Sequence, residues 1–476
     1  MAEGFDLIVV GTGFASTFYL REALAHLPPS ARVLVLERGQ RRTHAWQLAN
    51  PSARESERKP TFTNLTPEKP WIFTLGFGGG SNCWWACTPR FLPADFAMKT
   101  RYGVGHDWPL SYDDLEPFYC EAEAAMSVAG SDAHSPVPRS KPFPLPPHRL
   151  SEPDLRLLKA FPDQFTVQPT ARPTQAVGDR PACCNNGVCA LCPIDSKFTV
   201  QNTMAQVYED PRVEVRFGAR VQRVDIADDV ARGVDYVAKG VEMSSLGGFV
   251  AVGANAIFNP HILQRSGVSH PVLGKRLGEQ VSVNVDILLD GLDNFQGSTS
   301  ITGHGYMLYD GEHRRERGAA LIETLNRRLL RPERGKWRQR MLLKIIVEDL
   351  PHEDSEVRPN ADRPDVPDVR FGGWTPYAQK TLTELPRLLG KVLAPLPVER
   401  ASILNRRNPS ESHVIGTVMM GEDPETSVVD RHLRHHRVRN LAVLGASAYP
   451  TASPSNPTLT LSALSIWAAR HTFSAA

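Results

Sequence analysis

The chain has 476 residues, 41% apolar and 22% charged, enough for two or three domains' worth of core and too apolar for a disordered or fibrous chain. Lys and Arg number 54 against 52 Asp and Glu, a formal charge of +2. That balance offers no global attraction to nucleic acid or an acidic membrane surface, and it favours a small or neutral partner.

No stretch approaches the roughly 18 apolar residues of a membrane-spanning helix. The start MAEGFDLIVVGTG has acidic residues and no basic region before its short apolar run, so it reads as a core strand rather than a signal peptide. The expectation is a soluble chain with no membrane span, cytoplasmic unless a partner carries it across a membrane.

Phe5 to Val10 is a continuous apolar run suited to a buried parallel strand. Glycines follow, then a helical pattern through Phe18, Leu20, Ala23 and Leu24 that ends near Pro28, then a second apolar run from Val33 to Leu36. This βαβ order opens a doubly wound sheet. Gly11, Gly13 and Ser16 form G-x-G-x-x-S in the turn: Gly11 permits the tight turn, Gly13 lets backbone amides approach a pyrophosphate, and Ser16 stands where a third glycine is usual. Glu37 ends the second strand, where a carboxylate would hold ribose hydroxyls. Together these elements predict a dinucleotide site without separating FAD from NAD.

Residues 41 to 70 turn polar and proline-rich, an excursion from the sheet. Residues 130 to 182 carry many prolines and predict irregular structure wrapping the surface. Alternation resumes at Val213, Val215, Val221 and Val224, and Phe249 to Val252 predicts another strand. The basic stretch from Arg314 to Arg340 reads as a solvated helical face. LAVLGAS predicts a late strand, and a helix is expected over Thr458 to Thr472.

Of the seven cysteines, Cys183, Cys184, Cys189 and Cys192 fall within CCNNGVCALCP; Cys83, Cys87 and Cys120 read as packing residues. An odd count in a large chain fits reduced thiols or metal ligands better than a disulfide framework. The close spacing suits one compact centre, and the terminal Cys-Pro is like that of ferredoxin cluster loops. A zinc staple and unliganded thiols are the other readings.

The segments GFGGGSNCWWACTPRFLPADF, YGVGHDWPLSYDDLEPFYCEAE and HVIGTVMMGEDPETSVVDRHLRHHRVRNLAVLGASAYPTASPSNPTLT resemble, in that order, the glucose–methanol–choline (GMC) oxidoreductases. The likeness is greatest to the bacterial FAD-dependent glucose, gluconate, fructose and sorbitol dehydrogenases. It implies a mixed α/β (α+β) fold: a Rossmann-like FAD-binding domain with a discontinuous substrate-binding domain of GMC type. The FAD-binding parts would be 1–45, 71–98, 198–285 and 424–476. A cap region with the cysteine loop would occupy 99–197, and the substrate-binding domain 286–423.

The resemblance names the cofactor as FAD and places Gly79, Gly80 and Ser81 on a second glycine motif along it. Val221 falls where the backbone holds the adenine. Asn82, Cys83 and Trp84 stand where some relatives attach flavin through a histidine, so non-covalent FAD is expected. Gly445-Ala446 replaces the family's usual Asp-Gly, and the loop through Pro457 and Thr458 is expected over the flavin.

An alcohol donates hydride only once its hydroxyl proton is removed, which requires a base and a group to hold the developing alkoxide. The resemblance puts His413 in the first role and Asn456 in the second. It also implies that the four-cysteine loop holds an iron–sulfur cluster: four ligands for a 4Fe-4S centre, or three for a 3Fe-4S centre with one spare. The implied activity is oxidation of the CH–OH group of a sugar or other alcohol. Electrons would leave to a cytochrome, and a small signal-bearing subunit would be a partner. An oxidase using oxygen, a flavin-bearing lyase and a non-catalytic electron-transfer subunit are the competing readings.

Overall fold

In the computed structural model, which describes residues 4–133, 135–327, 329–404 and 407–474, the opening apolar run becomes β1 (Gly4–Val10). Its residues from Leu7 to Val9 are wholly buried because strands pack on both edges and helices cover the faces. β1 lies between β2 (Val33–Glu37) and β8 (Val241–Val252), parallel to both. β5 (Val213–Phe217) continues the parallel sheet beyond β2. On the other side β8 divides its pairing. Its first half runs antiparallel to β7 (Val230–Ala238), which pairs with β6 (Ala219–Ala227), and its last residues run parallel to β16 (Leu441–Val443). The chain's two ends therefore meet in one sheet. Helix Phe14–His26 packs on the last helix, Thr458–Phe473, where Tyr19 meets Phe473 at 6.0 Å and Arg470 Nε donates to Glu22 at 2.6 Å.

A second, six-stranded sheet has the order β15 (Val398–Ile403), β9 (Val281–Leu289), β12 (Arg340–Val347), β11 (Ala320–Leu325), β10 (Ile301–Leu308), β4 (Phe165–Val167), all antiparallel. Helix Pro376–Leu393 shares its apolar cluster, with Ala378, Leu385, Leu389 and Val392 against Val283, Leu343 and Ile345. A short third sheet joins β13 (Glu356–Arg358), β14 (Asp368–Arg370) and β3 (Thr63–Asn64). The arrangement is the expected Rossmann-like domain with a discontinuous second domain.

Three expectations need correction. The basic stretch from Arg314 to Arg340 is not a solvated helix: it contains β11 and leads into β12. Arg314 is wholly buried, because Asp95 Oδ1 at 2.8 Å and Glu348 Oε2 at 2.6 Å neutralise it. The segment 130–182 is not all surface wrapping: helix Glu152–Ala160 and β4 lie within it, and Asp154, Gln168 and Arg172 are buried. The strand expected at Phe249 begins at Val241, since its first half continues the antiparallel β6–β7–β8 ladder with mostly exposed residues that carry no continuous apolar run.

Candidate active site

A cavity of about 730 Å³ runs between the two sheets, and most of the singled-out residues border it. At one end β1 stops and Gly11, at φ +91°, turns the chain toward helix Phe14–His26; a Cβ here would lie 2.6 Å from Gly253 O. Gly13 is the helix N-cap, with no side-chain cap and no acidic residue in the first turn, so the amides there are left for an anion. The second glycine motif closes against it: a Cβ on Gly79 would stand 3.1 Å from the Gly13 Cα.

Glu37 braces these loops. Its Oε2 accepts from Thr12 N (3.1 Å) and Thr12 Oγ1 (2.7 Å), and its Oε1 from Gly39 N (2.8 Å) and Gly76 N (3.1 Å). Its lone pairs are thus engaged within the protein although it borders the cavity.

Val221, Gly79, Gly80, Ala446, Pro457 and Thr458 also line the cavity, the last two at the head of helix Thr458–Phe473. Ser16 and Ser81 do not. Ser16 Oγ donates to Val10 O at 3.2 Å, fixing helix against strand, while Ser81 Oγ donates to Gly78 O at 2.7 Å and accepts from Val200 N at 3.0 Å. Both serve the shape of the site from behind. Cys87 and Cys120 are buried, in keeping with packing, although Cys87 also borders the cavity; Cys83 is half-buried on the cavity wall, its Sγ 2.8 Å from Thr74 Oγ1.

At the other end His413 and Asn456 face the same space. Gln280, just before β9, ties their two loops together. Its Nε2 donates to Ser453 O (2.8 Å) and Ser455 O (3.0 Å), so its Oε1 is the acceptor facing His413 Nδ1 at 3.0 Å. That acceptor requires the proton on Nδ1, leaving His413 Nε2 with a free lone pair. Glu279 anchors the same loop, accepting from His413 N at 3.0 Å and Ser410 Oγ at 2.9 Å, and it pairs with buried Lys69, which lies 4.4 Å over the Trp71 ring. Packing into the protein pushes the His413 imidazole down to about 4; Lys344 acts the same way, and Glu279 and Glu323 oppose it. At neutral pH it is an uncharged base.

The second sheet supplies a charged floor. Glu323 of β11 and Lys344 of β12 are register partners, and both border the cavity with Glu411, which pairs with Lys344. Burial would lower the Lys344 ammonium, but Glu411 and Glu323 outweigh it and hold the group above its ordinary range. Sequence reasoning missed Glu279, Gln280, Glu323, Lys344 and Glu411; only their neighbourhood in the fold singles them out.

The residues fit a flavin dinucleotide. A Cβ on Gly13 or Gly80 would meet no protein atom within 4 Å, so both backbones face open cavity, and Asn456 Oδ1 and His261 Nδ1 are buried on its wall without hydrogen-bond partners. The cysteine loop does not fit a metal centre in the same way. Cys189 Sγ donates to Ser300 Oγ at 3.1 Å, Cys183 Sγ lies 3.6 Å from Thr299 Oγ1, Cys192 Sγ accepts from Ser196 N at 3.4 Å, and Cys184 is exposed. Among the described residues no three His, Cys, Asp or Glu side chains gather to hold a metal ion. What the loop does contact is the cavity wall: Lys197 Nζ donates to Asn82 O (3.0 Å), Trp84 O (2.7 Å) and Ala190 O (3.2 Å), and Ala190 borders the cavity.

A Rossmann-like sheet with two apposed glycine motifs and a histidine–asparagine pair in one cavity defines an FAD-dependent oxidoreductase. Residues 352–465 match the family model described as GMC oxidoreductase. The fructose dehydrogenase large subunit of Gluconobacter japonicus is 24% identical, with 98% of this chain and 97% of the relative covered. The gluconate 2-dehydrogenase flavoprotein of Pantoea cypripedii is 23% identical over 98% and 93%. The 6'''-hydroxyparomomycin C oxidase of Streptomyces lividus is 27% identical over 96% and 89%. Pyridoxine 4-oxidase from Mesorbium loti has the same fold, with a TM-score of 0.68 at 18% identity over 98% of this chain and 99% of that one.

Proposed function

We propose that this enzyme oxidises the CH–OH group of a sugar or other polyhydroxylated alcohol and passes the electrons to an acceptor other than oxygen. The observation that carries the reading is the Gln280 contact, which leaves His413 Nε2 free as a base in the cavity that holds both glycine motifs. His413 Nε2 takes the hydroxyl proton, and the Asn456 amide is placed to steady the alkoxide. FAD, when bound, supplies the acceptor for the hydride that leaves the same carbon. The N-terminal amides of helix Phe14–His26, with Gly13, Gly79 and Gly80 beside them, receive the pyrophosphate, and Val221 borders the adenine.

The fructose and gluconate dehydrogenases among the relatives support a dehydrogenase; the oxidases among them support oxygen as a second acceptor. Anaerobic bleaching of the bound flavin by sugars and polyols tests the reaction, and peroxide formed in air separates the two acceptors. A flavin left oxidised by the whole panel contradicts the proposal.

Non-covalent FAD belongs to the same proposal, resting on Asn82, Cys83 and Trp84 in place of the attaching histidine; acid precipitation should release the yellow colour, and flavin kept on the pellet overturns it. An iron–sulfur centre at Cys183, Cys184, Cys189 and Cys192 rests on their spacing and the family resemblance alone, with a small signal-bearing subunit and a cytochrome as the implied electron partners. Stoichiometric iron and sulfide in anaerobically purified protein would support it, and their absence would remove it.

A further inference from the structure

The carboxylate of Glu323 borders the substrate end of the cavity, and its side chain is only 2% exposed. Its Oε1 is buried without a hydrogen-bond partner. The nearest donor by distance, His304 Nε2 at 3.4 Å, has no proton to give. Arg172 Nη2 donates to Gln168 Oε1, which turns the Gln168 amide so that Nε2 donates to His304 Nε2 at 3.1 Å. That ring nitrogen is therefore an acceptor. Lys344 faces Glu323 across the strands but pairs with Glu411, which also accepts from Ser282 Oγ. Two carboxylates against one ammonium leave a negative charge at the floor. Arg327 also borders the cavity, its guanidinium 5.3 Å over the Trp85 ring.

A buried carboxylate oxygen with no donor is costly, and a ligand that brings one relieves the cost. We infer that Glu323 marks a subsite for a substrate ammonium, so that the preferred substrate is an amino-substituted sugar or polyol oxidised at a neighbouring carbinol. The inference rests on the alcohol-oxidising reading and adds the substrate class to it. The ladders on both sides of β11 hold Glu323 in register with His304 and Lys344.

The test uses the holoenzyme with matched pairs, glucosamine against glucose and 6-amino-6-deoxyglucose against glucose, with binding read from the perturbation of the flavin absorption band. At least one amino sugar should bind roughly tenfold or more tighter than its hydroxyl parent, in line with a charge-assisted hydrogen bond. Glu323→Gln, with its bound FAD measured, should bring the pair within about twofold. Equal binding of every pair by the wild-type enzyme overturns the inference without need of the variant, and so does a preference that survives in Glu323→Gln. Tighter binding of glucuronate than of glucose also overturns it and assigns the charge recognition to Lys344 or Arg327. Should the amine preference hold while no carbinol bleaches the flavin, the subsite stands and the oxidation reading falls.

Discussion

With its ring at about 4 instead of the ordinary 6.5, His413 stays an unprotonated base across the neutral and mildly acidic range. The cause is packing into the protein, reinforced by Lys344 and only partly countered by Glu279 and Glu323. Flavin reduction should accordingly hold its rate from pH 8 down to about 5 and fall as the pH approaches 4, which anaerobic stopped-flow measurement across that range would show; a limb at 6.5 contradicts the assignment. The stability linkage has the same origin. The folded value lies below the unfolded one, so neutral His413 contributes fully above pH 6.5, and that contribution is lost as the pH falls from 6.5 through 4. That His413 and Asn456 would border one cavity was legible because their flanking motifs, HVIGT and SPSNPTLT, are contiguous. Gln280 was not: nothing in LGEQVSV separates a surface glutamine from one whose amide joins two distant loops. The carboxylate of Glu37 shows the reverse limit, since its place at the end of β2 was legible while its four donors, two from Thr12 and one each from Gly39 and Gly76, converge only in the fold.

The strands that could be read early are those with buried faces on both sides, such as β1 and β2, where apolar runs need no alternation. β11 and β12 escaped because the flanking arginines dominate the composition of 314–340, and their burial depends on partners far away in sequence. Arg314 shows the physics. Its Nη2 reaches Asp95 and Glu348, and Asp95 Oδ2 in turn accepts from Tyr309 at 2.8 Å and Ser453 at 3.1 Å, beside the loop that carries Asn456. Burial pushes the Asp95 carboxyl up against the pull of Arg314. Replacing Arg314 by Met leaves two buried acids without their counter-charge and should cost about 3–5 kcal/mol in urea unfolding of the holoenzyme. A loss below about 1 kcal/mol would show that the network contributes little.

At the scale of the molecule, the cavity exists because the chain leaves the Rossmann-like sheet to build a second sheet and returns to it for β16 and the last helix. The β1–turn–helix unit announces the nucleotide end in about 30 contiguous residues. The opposite end is assembled from β10, β11, β12 and the loop carrying His413, so its chemistry emerges only from cross-strand register. The path also sets what stands where: glycines and helix amides at one end, a histidine oriented by Gln280 at the other, and a charged floor below.

The central claim, that His413 is the base for substrate oxidation in this cavity, is tested most directly by anaerobic stopped-flow reduction of bound flavin in the wild-type enzyme and in His413→Ala, each with its FAD content measured. Equal FAD content and flavin reduction slower by about 100-fold or more are expected in the variant; equal reduction rates with a bleaching substrate would remove His413 from the base role.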